Sequence, residues 1–302
     1  MVVLDTGASG QLGQALQFIS TDHPDISFKF ATSSEADVTN RNILTEIFNS
    51  VRPNFCINAA AYTAVDKAES EPEKAELINV AGALNVAEAC KCFDTTLIHI
   101  STDFVFDGSA TTPYTEEHVP NPMSVYGKTK LDGERAIADV WDKHIIIRTS
   151  WLYSQFSNNF MKAMLRIATE RISVSVVNDQ IGTPTHAVDL AKAILDIIRQ
   201  VAATLSTLES RSLTDQPSTI HQLQPPYGTY HFSNEGQCSW YDFAKKIFEV
   251  NNIEIDLHPI PTSAFPTAAK RPRFSVLDKE KIAKVFNIRI REWENALTAT
   301  KQ

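Results

Sequence analysis

The sequence predicts an α/β protein with a doubly wound, mostly parallel sheet and a smaller carboxy-terminal lobe. In the first half of the chain, short apolar segments typical of buried strands alternate with amphipathic helical segments. A glycine-rich turn and a helix directly follow the first strand, an order typical of nucleotide-binding α/β folds. Beyond residue 151 the alternation becomes less regular, which indicates a second structural unit.

Hydrophobic periodicity places the elements along the chain. Strands are predicted at residues 2–4, 28–31, 55–58, 96–100, 144–148 and 173–177, and helices at about 15–19, 42–51, 73–90, 160–170 and 187–199, with a further helix carrying Tyr126. Residues 204–226, rich in Ser, Thr, Gln and Pro, predict a long surface loop, after which a last strand and helices follow. We therefore expect a Rossmann-like nucleotide-binding domain at residues 1–150, completed by about residues 173–200. Residues 151–172 and 201–302 would form a substrate-binding lobe.

The turn after the first strand carries Gly7, Gly10 and Gly13 in the spacing Gly-x-x-Gly-x-x-Gly. Glycine permits a tight turn and close approach of the backbone, and the N-terminus of the following helix attracts a pyrophosphate. We therefore expect a dinucleotide to bind here. Asp5, near the end of the buried strand, needs a partner that the sequence does not identify.

Composition excludes some classes of function. The chain has 302 residues, is 43% hydrophobic and carries a net charge of −8, which argues against a general nucleic-acid or membrane-surface binder. It has no apolar run long enough for a membrane span, and its first strand begins at residue 2, so we expect a cytoplasmic protein. The four cysteines are expected to be reduced and structural, and no Cys/His spacing predicts a metal site.

Tyr126 and Lys130 lie four residues apart and follow the hydroxyl pair Ser101-Thr102, which comes at the end of a predicted strand. This spacing places both side chains on one face of a helix, so the ammonium is expected to lie near the phenol and to lower its pKa from about 10. Tyr126 is then a candidate general acid for the reduction of a carbonyl group.

A second pair with the same spacing, Tyr241 and Lys245, has a different context. It follows Ser239, a good helix N-cap, and opens an amphipathic helix that is preceded by no comparable hydroxyl pair at a strand end. We interpret this second pair as structural.

Longer motifs carry a resemblance to a known family. They are NAAAYTAVDKAE from Asn58, STDFVFDG from Ser101, YGKTKLDGE from Tyr126, RTSWLY from Arg148 and DQIGTPT from Asp179. Together with the glycine turn, they make the chain resemble the extended short-chain dehydrogenase/reductases and, among these, the dTDP-4-dehydrorhamnose reductases. The resemblance covers nearly the whole chain, and residues 204–226 stand out as extra.

The resemblance implies roles for particular residues. The catalytic residues would be Thr102, Tyr126 and Lys130. The cofactor would contact Gly7, Gly10, Gln11, Leu12, Gly13, Asp37, Val38, Ala59, Ala60, Ala61, Tyr62, Thr63, Tyr126 and Lys130. The sugar would contact Val65, Thr102, Asp103, Tyr126 and Trp151. Phe104 stands where many relatives have tyrosine, so a hydroxyl contact from that position is not expected.

The implied reaction is the NAD(P)H-dependent reduction of the C4 keto group of a dTDP-linked 4-keto-6-deoxysugar, and a homodimer is possible. Related dehydratases place an Asp-Glu pair after the active threonine, whereas here Asp103 is followed by Phe104, which favours simple reduction. Thr32, Ser33 and Ser34 stand where an acid would bind a ribose 2′-hydroxyl, which favours NADPH, with NADH possible.

Several alternatives remain open at this point. Trp151 is either a site residue or a core aromatic, and Asp37 either contacts the adenine or starts a helix. The basic cluster at residues 270–273 either binds a diphosphate or forms a solvated loop. The chain also resembles the regulatory beta subunit of methionine adenosyltransferase, a binding module, so fold and glycine turn alone do not establish catalysis.

Overall fold

The computed structural model describes residues 1–211 and 224–301 and contains a central sheet covered by helices on both faces. The strands are β1 (Val2–Asp5), β2 (Ser27–Phe30), β3 (Phe55–Asn58), β4 (Thr96–Thr102), β5 (His144–Thr149), β6 (Leu152–Tyr153), β7 (Ser173–Val177), β8 (Ile181–Gly182), β9 (Thr185–His186), β10 (Gly228–His231), β11 (Cys238–Ser239) and β12 (Asp256–Ile260). The α-helices are α1 (Gln11–Ser20), α2 (Arg41–Val51), α3 (Val65–Ala68), α4 (Pro72–Glu76), α5 (Ala83–Cys92), α6 (Val125–Val140), α7 (Phe160–Glu170), α8 (Ala187–Arg211), α9 (Trp240–Asn251), α10 (Glu280–Val285) and α11 (Trp293–Thr298).

Six strands form the central sheet in the order β10-β5-β4-β3-β1-β2, and each neighbouring pair is parallel. The chain winds outward in opposite directions from β1, so the carboxyl ends of β1 and β3 flank the crevice in which such sheets bind ligands. This arrangement confirms the predicted α/β fold with a parallel sheet.

Both faces of the sheet are covered. On one face α1 and α8 pack together through Leu16 and Ile194 in a core that includes Ile98 and Ile147 of the sheet. On the other face, the core contains residues of α2 and α5 such as Phe48. Helices on both faces explain why the strands read as continuous apolar runs in the sequence.

A second lobe is built around β7 and β12, which pair in parallel, and around α7, α9 and α11. Its core includes Tyr153, Phe243 and Trp293. Helix α9 begins after Ser239, whose hydroxyl accepts a hydrogen bond from the Asp242 backbone N–H, so the predicted N-cap is confirmed.

The sheet differs from the expected division of the chain in two ways. Strand β7, expected to complete the nucleotide-binding domain, pairs with β12 in the second lobe, whereas α8 of the same region does pack on α1. The sixth strand of the sheet is β10, which lies in the part assigned to the substrate lobe. The strand pattern alone does not reveal this exchange, because either strand could pair with either sheet.

Two predicted elements have different bounds. Helix α8 continues to Arg211, so the prediction of a loop was wrong for residues 204–211, whereas residues 212–223 lie outside the described residues. The helix predicted at 73–90 is interrupted by a π-helical turn, Leu77–Gly82. This turn contains Asn79, whose buried amide binds the Tyr62 backbone and the Thr129 hydroxyl.

All four cysteines are free thiols, of which Cys92 is exposed and Cys56, Cys90 and Cys238 are buried. In the described ranges, no helix has the length and apolarity needed to span a bilayer.

Candidate active site

A cleft of about 590 Å³ opens at the carboxyl ends of β1, β3, β4 and β5. It brings together most of the residues singled out in the sequence: Gly7, Gly10, Gln11, Leu12, Gly13, Ala59, Ala61, Thr63, Val65, Thr102, Asp103, Tyr126, Lys130 and Trp151. The carboxyl edge of a parallel sheet is where these loops must converge, which is why their order in the sequence was informative.

The glycine turn forms one end of the cleft and is tightly packed. A Cβ atom on Gly7 would lie 2.7 Å from the Ala59 Cβ, and one on Gly13 would lie 2.3 Å from the Gly7 carbonyl oxygen. Helix α1 starts after Gly10 with no side-chain cap and no acidic residue in its first turn. The N-terminus is therefore open to an anion, and these residues fit the pyrophosphate of a dinucleotide.

Asp5, at the end of β1, stabilises this turn, because its Oδ1 accepts a hydrogen bond from the Gly7 backbone N–H at 3.1 Å. This is the partner that the sequence did not identify. The other carboxyl oxygen is buried without a hydrogen-bond partner, and burial raises the pKa of Asp5 to about 7.

Tyr126 lies in the first turn of α6, close to the Thr102 hydroxyl at the end of β4. Ser124 caps this helix by accepting a hydrogen bond from the Gly127 backbone N–H. Burial raises the pKa of the Tyr126 phenol to about 12, although a hydrogen bond with Thr102 opposes this rise. The expected lowering of the Tyr126 pKa was wrong, because desolvation of the phenol outweighs the effects of the neighbouring groups.

The Lys130 ammonium has two buried partners, His99 and the backbone of Ile100. It donates hydrogen bonds to the Ile100 carbonyl oxygen at 2.7 Å and contacts His99 Nε2 at 3.2 Å. Burial lowers the pKa of Lys130 to about 8, with the Glu134 carboxylate opposing this shift. Helical spacing did place Lys130 on the face of α6 that borders the cleft, but it did not reveal His99 as a partner.

Asp103 is almost completely buried beside Thr102, whose hydroxyl donates to its Oδ1 at 3.2 Å. Its Oδ2 has no hydrogen-bond partner, and burial raises the pKa of Asp103 to about 6. Phe104 contacts the Tyr126 ring edge-on, with ring centroids 5.6 Å apart. Phe104 therefore supports the phenol through packing.

Trp151 has both of the roles that the sequence left open, since it lines the cleft and is packed against the second lobe. Its indole stacks on Trp240, which also lines the cleft and which the sequence analysis missed. Trp151 has a left-handed backbone with φ of 47°, and a Cβ atom on Gly182 would lie 2.6 Å from its ring. These constraints fix the direction of the indole.

The basic cluster at residues 270–273 also meets the cleft. Arg271 lines it and forms a two-pronged ion pair with Asp66, with contacts of 3.0 and 2.6 Å. Lys270 and Arg273 line an adjoining cavity together with Arg271. The cluster is thus partly tied to the first domain, and the diphosphate role stays a prediction.

Four predicted cofactor residues do not line the cleft: Asp37, Val38, Ala60 and Tyr62. Asp37 accepts hydrogen bonds from the Thr39 backbone and hydroxyl, while Asn40 is the N-cap of α2. Val38 and Ala60 pack in the core of one face of the sheet. The Tyr62 hydroxyl donates to Glu71. Contacts of these four residues with a cofactor stay predictions.

Comparison with known proteins adds to this geometry. The sequence profile of the RmlD substrate binding domain family matches residues 1–302. The chain belongs to this family. It is 39% identical to a dTDP-4-dehydrorhamnose reductase of Aggregatibacter actinomycetemcomitans, with 98% of this chain and 96% of the relative covered. It is 37% identical to the enzyme of that name from Sinorhizobium fredii, with 96% and 93% covered.

Similar proteins with solved structures have the same fold. A dTDP-4-dehydrorhamnose reductase of Clostridium acetobutylicum superposes with a TM-score of 0.88 at 37% identity, with 100% of this chain and 98% of the other covered. The Bacillus anthracis enzyme of the same name, solved in complex with NADP, gives a TM-score of 0.87 at 37% identity, with 99% and 98% covered.

Proposed function

We propose that this protein is a dTDP-4-dehydrorhamnose reductase. It would use NADPH to reduce the C4 keto group of dTDP-4-dehydro-L-rhamnose to dTDP-L-rhamnose, for the synthesis of nucleotide sugars used in cell-surface polysaccharides. The observation that carries the proposal is the meeting of Thr102, Tyr126 and Lys130 in a cleft that ends at the glycine turn. Full-length relatives named as this reductase support the choice of substrate.

Tyr126 acts as the proton donor in this proposal. With a pKa of about 12, the phenol is protonated throughout the neutral range, so the acid form is always available. Bound NADPH would supply the hydride to the carbonyl carbon. As the carbonyl oxygen gains negative charge, Tyr126 transfers its proton to it. The Thr102 hydroxyl, which donates to Asp103 Oδ1 in the structure, would turn to donate a hydrogen bond to the same oxygen.

Lys130 stabilises the phenolate that remains on Tyr126. A buried phenolate without a nearby positive charge would be costly, and Lys130 supplies that charge from the next turn of α6. Solvent then returns the proton to Tyr126. Lys130 would in addition hold the ribose of the cofactor.

The scarcity of acidic groups in the cleft argues for reduction without dehydration or epimerisation. Among the described residues that line it, Asp103 is the only acid. Dehydration or epimerisation requires a base that removes a carbon-bound proton, and the acid that dehydratases place after Asp103 is replaced here by Phe104. A purely regulatory role is not favoured, because the proton donor and its partners are intact and relatives are named as reductases. The homodimer remains a prediction.

A direct assay tests the proposal. Purified protein mixed with NADPH and dTDP-4-dehydro-L-rhamnose should consume the reduced cofactor, as followed by its absorbance, and should form dTDP-L-rhamnose. No consumption by a folded protein that still binds NADPH would contradict the proposal and restore the regulatory alternative.

A further inference from the structure

Four buried polar side chains form a continuous hydrogen-bonded chain that runs from Lys130, at the wall of the cleft, into the protein. Lys130 Nζ lies 3.2 Å from His99 Nε2, His99 Nδ1 lies 3.1 Å from the Asn58 amide, and that amide lies 3.0 Å from the Thr6 hydroxyl. None of the four is more than 2% exposed. The chain ends at the Ile57 carbonyl oxygen, 3.5 Å from the Thr6 hydroxyl.

The four side chains can satisfy their hydrogen bonds in two patterns, which differ in the direction of donation. An ammonium can only donate, so a charged Lys130 requires His99 Nε2 to accept and His99 Nδ1 to carry the ring proton. Nδ1–H then donates to Asn58 Oδ1, Asn58 Nδ2 donates to Thr6, and Thr6 donates to the Ile57 carbonyl oxygen. Every buried group has a partner in this arrangement.

A neutral Lys130 amine can accept as well as donate, so it admits the reverse direction, which matches the Asn58 amide orientation in the structure. His99 Nε2–H donates to the amine, Asn58 Nδ2 donates to His99 Nδ1, and the Thr6 hydroxyl donates to Asn58 Oδ1. A half-turn of the Asn58 amide exchanges the two arrangements. While Lys130 is charged, any other arrangement places two donors or two acceptors against each other, which is unfavourable between side chains that are so deeply buried.

We propose that His99 is a positioning residue for Lys130, and that the charge of Lys130, the tautomer of His99 and the orientation of the Asn58 amide change together. The chain ends on a backbone carbonyl, so it does not carry protons to solvent. It keeps an acceptor directed at the ammonium while Lys130 is charged. The link to catalysis rests on the proposed function, whereas the coupled states do not.

The charged and titratable neighbours fit this picture. Burial, with Lys130 and His144 of β5, holds the pKa of His99 well below its usual range, so the imidazole stays neutral. Glu134, one turn along α6 from Lys130, is ion-paired with Arg148 at 2.7 Å. Of the four linked side chains, Lys130 is therefore the one that changes charge near neutral pH, with a pKa of about 8.

Nuclear magnetic resonance of the full chain labelled with ¹⁵N-histidine tests the coupling without substrate or cofactor. His99→Gln identifies the His99 signals. We expect a neutral ring with the proton on Nδ1 at low pH and on Nε2 at high pH, with the exchange near the Lys130 pKa of about 8. Lys130→Met should abolish the exchange. An imidazolium titrating near about 6.5, or one unchanging tautomer from about pH 6 to 10, would overturn the proposal.

The link to catalysis has a separate test in the pH profile of NADPH oxidation. His99→Phe removes the acceptor and fills the space, so the alkaline fall in kcat should move to lower pH. His99→Gln keeps an acceptor and should restore the wild-type profile. His258→Gln, at a half-exposed histidine of β12, is the control and should change nothing. Coincident profiles for His99→Phe and wild type would reduce His99 to a core residue. An enzyme with no reductase activity but with the predicted tautomer exchange would contradict the proposed function alone.

Discussion

The indole rings of Trp151 and Trp240 stack face to face, with centroids 3.6 Å apart and planes 10° apart. Trp151 follows β5 of the central sheet, and Trp240 begins α9 of the second lobe. The stack therefore joins the two lobes at the wall of the cleft where the sugar is expected. We therefore expect sugar binding to be sensitive also to residues that do not touch the sugar.

Gly182→Ala should displace Trp151, because the new methyl group would lie 2.6 Å from the indole. We expect KM for the nucleotide sugar to rise by up to about tenfold, as befits the loss of one aromatic contact. Affinity for NADPH, measured by fluorescence titration, should stay near wild type. Trp151→Ala should likewise raise KM for the nucleotide sugar and leave the affinity for NADPH near wild type. Equal loss of NADPH affinity in both variants would mean that Trp151 does not act on the sugar.

Tyr126→Phe should retain NADPH binding and lose about two to four orders of magnitude in turnover, because it removes the donated proton and keeps the ring. Steady-state NADPH oxidation measures the change. Tyr241→Phe is the matched control, since Tyr241 packs against the core of the second lobe and should leave turnover unchanged. A Tyr126→Phe enzyme within threefold of wild type would exclude this tyrosine as the acid.

Asp5→Asn should change how stability depends on pH. In the folded protein the pKa of Asp5 is raised to about 7 from 3.8, so the folded state holds a proton that the unfolded state releases between these values. Asp5 therefore stabilises the wild type least above pH 7. Relative to wild type, Asp5→Asn should gain up to about 4 kcal/mol in unfolding free energy between about pH 4 and pH 8. Urea unfolding of both proteins at both pH values measures this change. The prediction is contradicted if the variant and the wild type differ in unfolding free energy by the same amount at the two pH values.

Glu35→Gln should shift cofactor preference toward NADPH. Glu35 accepts a hydrogen bond from the Thr32 backbone N–H at 3.0 Å and pairs with Lys29 at 2.9 Å, which keeps its pKa at about 2. Glu35 lies five residues beyond the end of β2, and a carboxylate near this strand end would repel a ribose 2′-phosphate. Removing its charge should raise the ratio of kcat/KM for NADPH over NADH by a factor of about three. Glu46→Gln, on the exposed side of α2, is the control.

The nucleotide of the substrate should contribute much of the binding energy. If so, free 4-keto sugar should be used far less efficiently than the dTDP-linked form, and dTDP alone should compete with substrate. Inhibition kinetics with dTDP provide the measurement. Equal use of free and linked sugar would mean that the second lobe recognises another group.

The sequence predicted the parts of the site that local order determines. The glycine turn, Thr102 and Tyr126 each follow or begin a recognisable element, and the carboxyl edge of a parallel sheet must bring such positions together. Helical spacing also placed Lys130 near the cleft, but it could not show how deeply the ammonium is buried or that Ile100 binds it. The direction of the Tyr126 pKa shift was wrong because the sequence does not show how strongly the phenol itself is buried.

Contacts between segments that are distant along the chain could not be predicted from the sequence. His99 and Asn58 lie on neighbouring strands, but their pairing depends on strand register, which one sequence does not reveal. Trp240 reads as an ordinary residue at a helix start, and only the packing of the two lobes brings it to Trp151. Strand β7 was assigned to the wrong sheet because its partner lies some eighty residues later in the chain.

The position of β10 bears on how the protein is synthesised. A ribosome adds residues in order, so β1 to β5 can form while β10 is still missing. Until residues 228–231 emerge, the edge of β5 has unpaired backbone groups next to Ile145, Ile146 and Ile147, a segment suited to pairing with other chains. A nascent chain that stalls in this interval is at risk of aggregation. A gene fragment ending at residue 150 would keep that open edge permanently, and it would also lack α8, which covers α1.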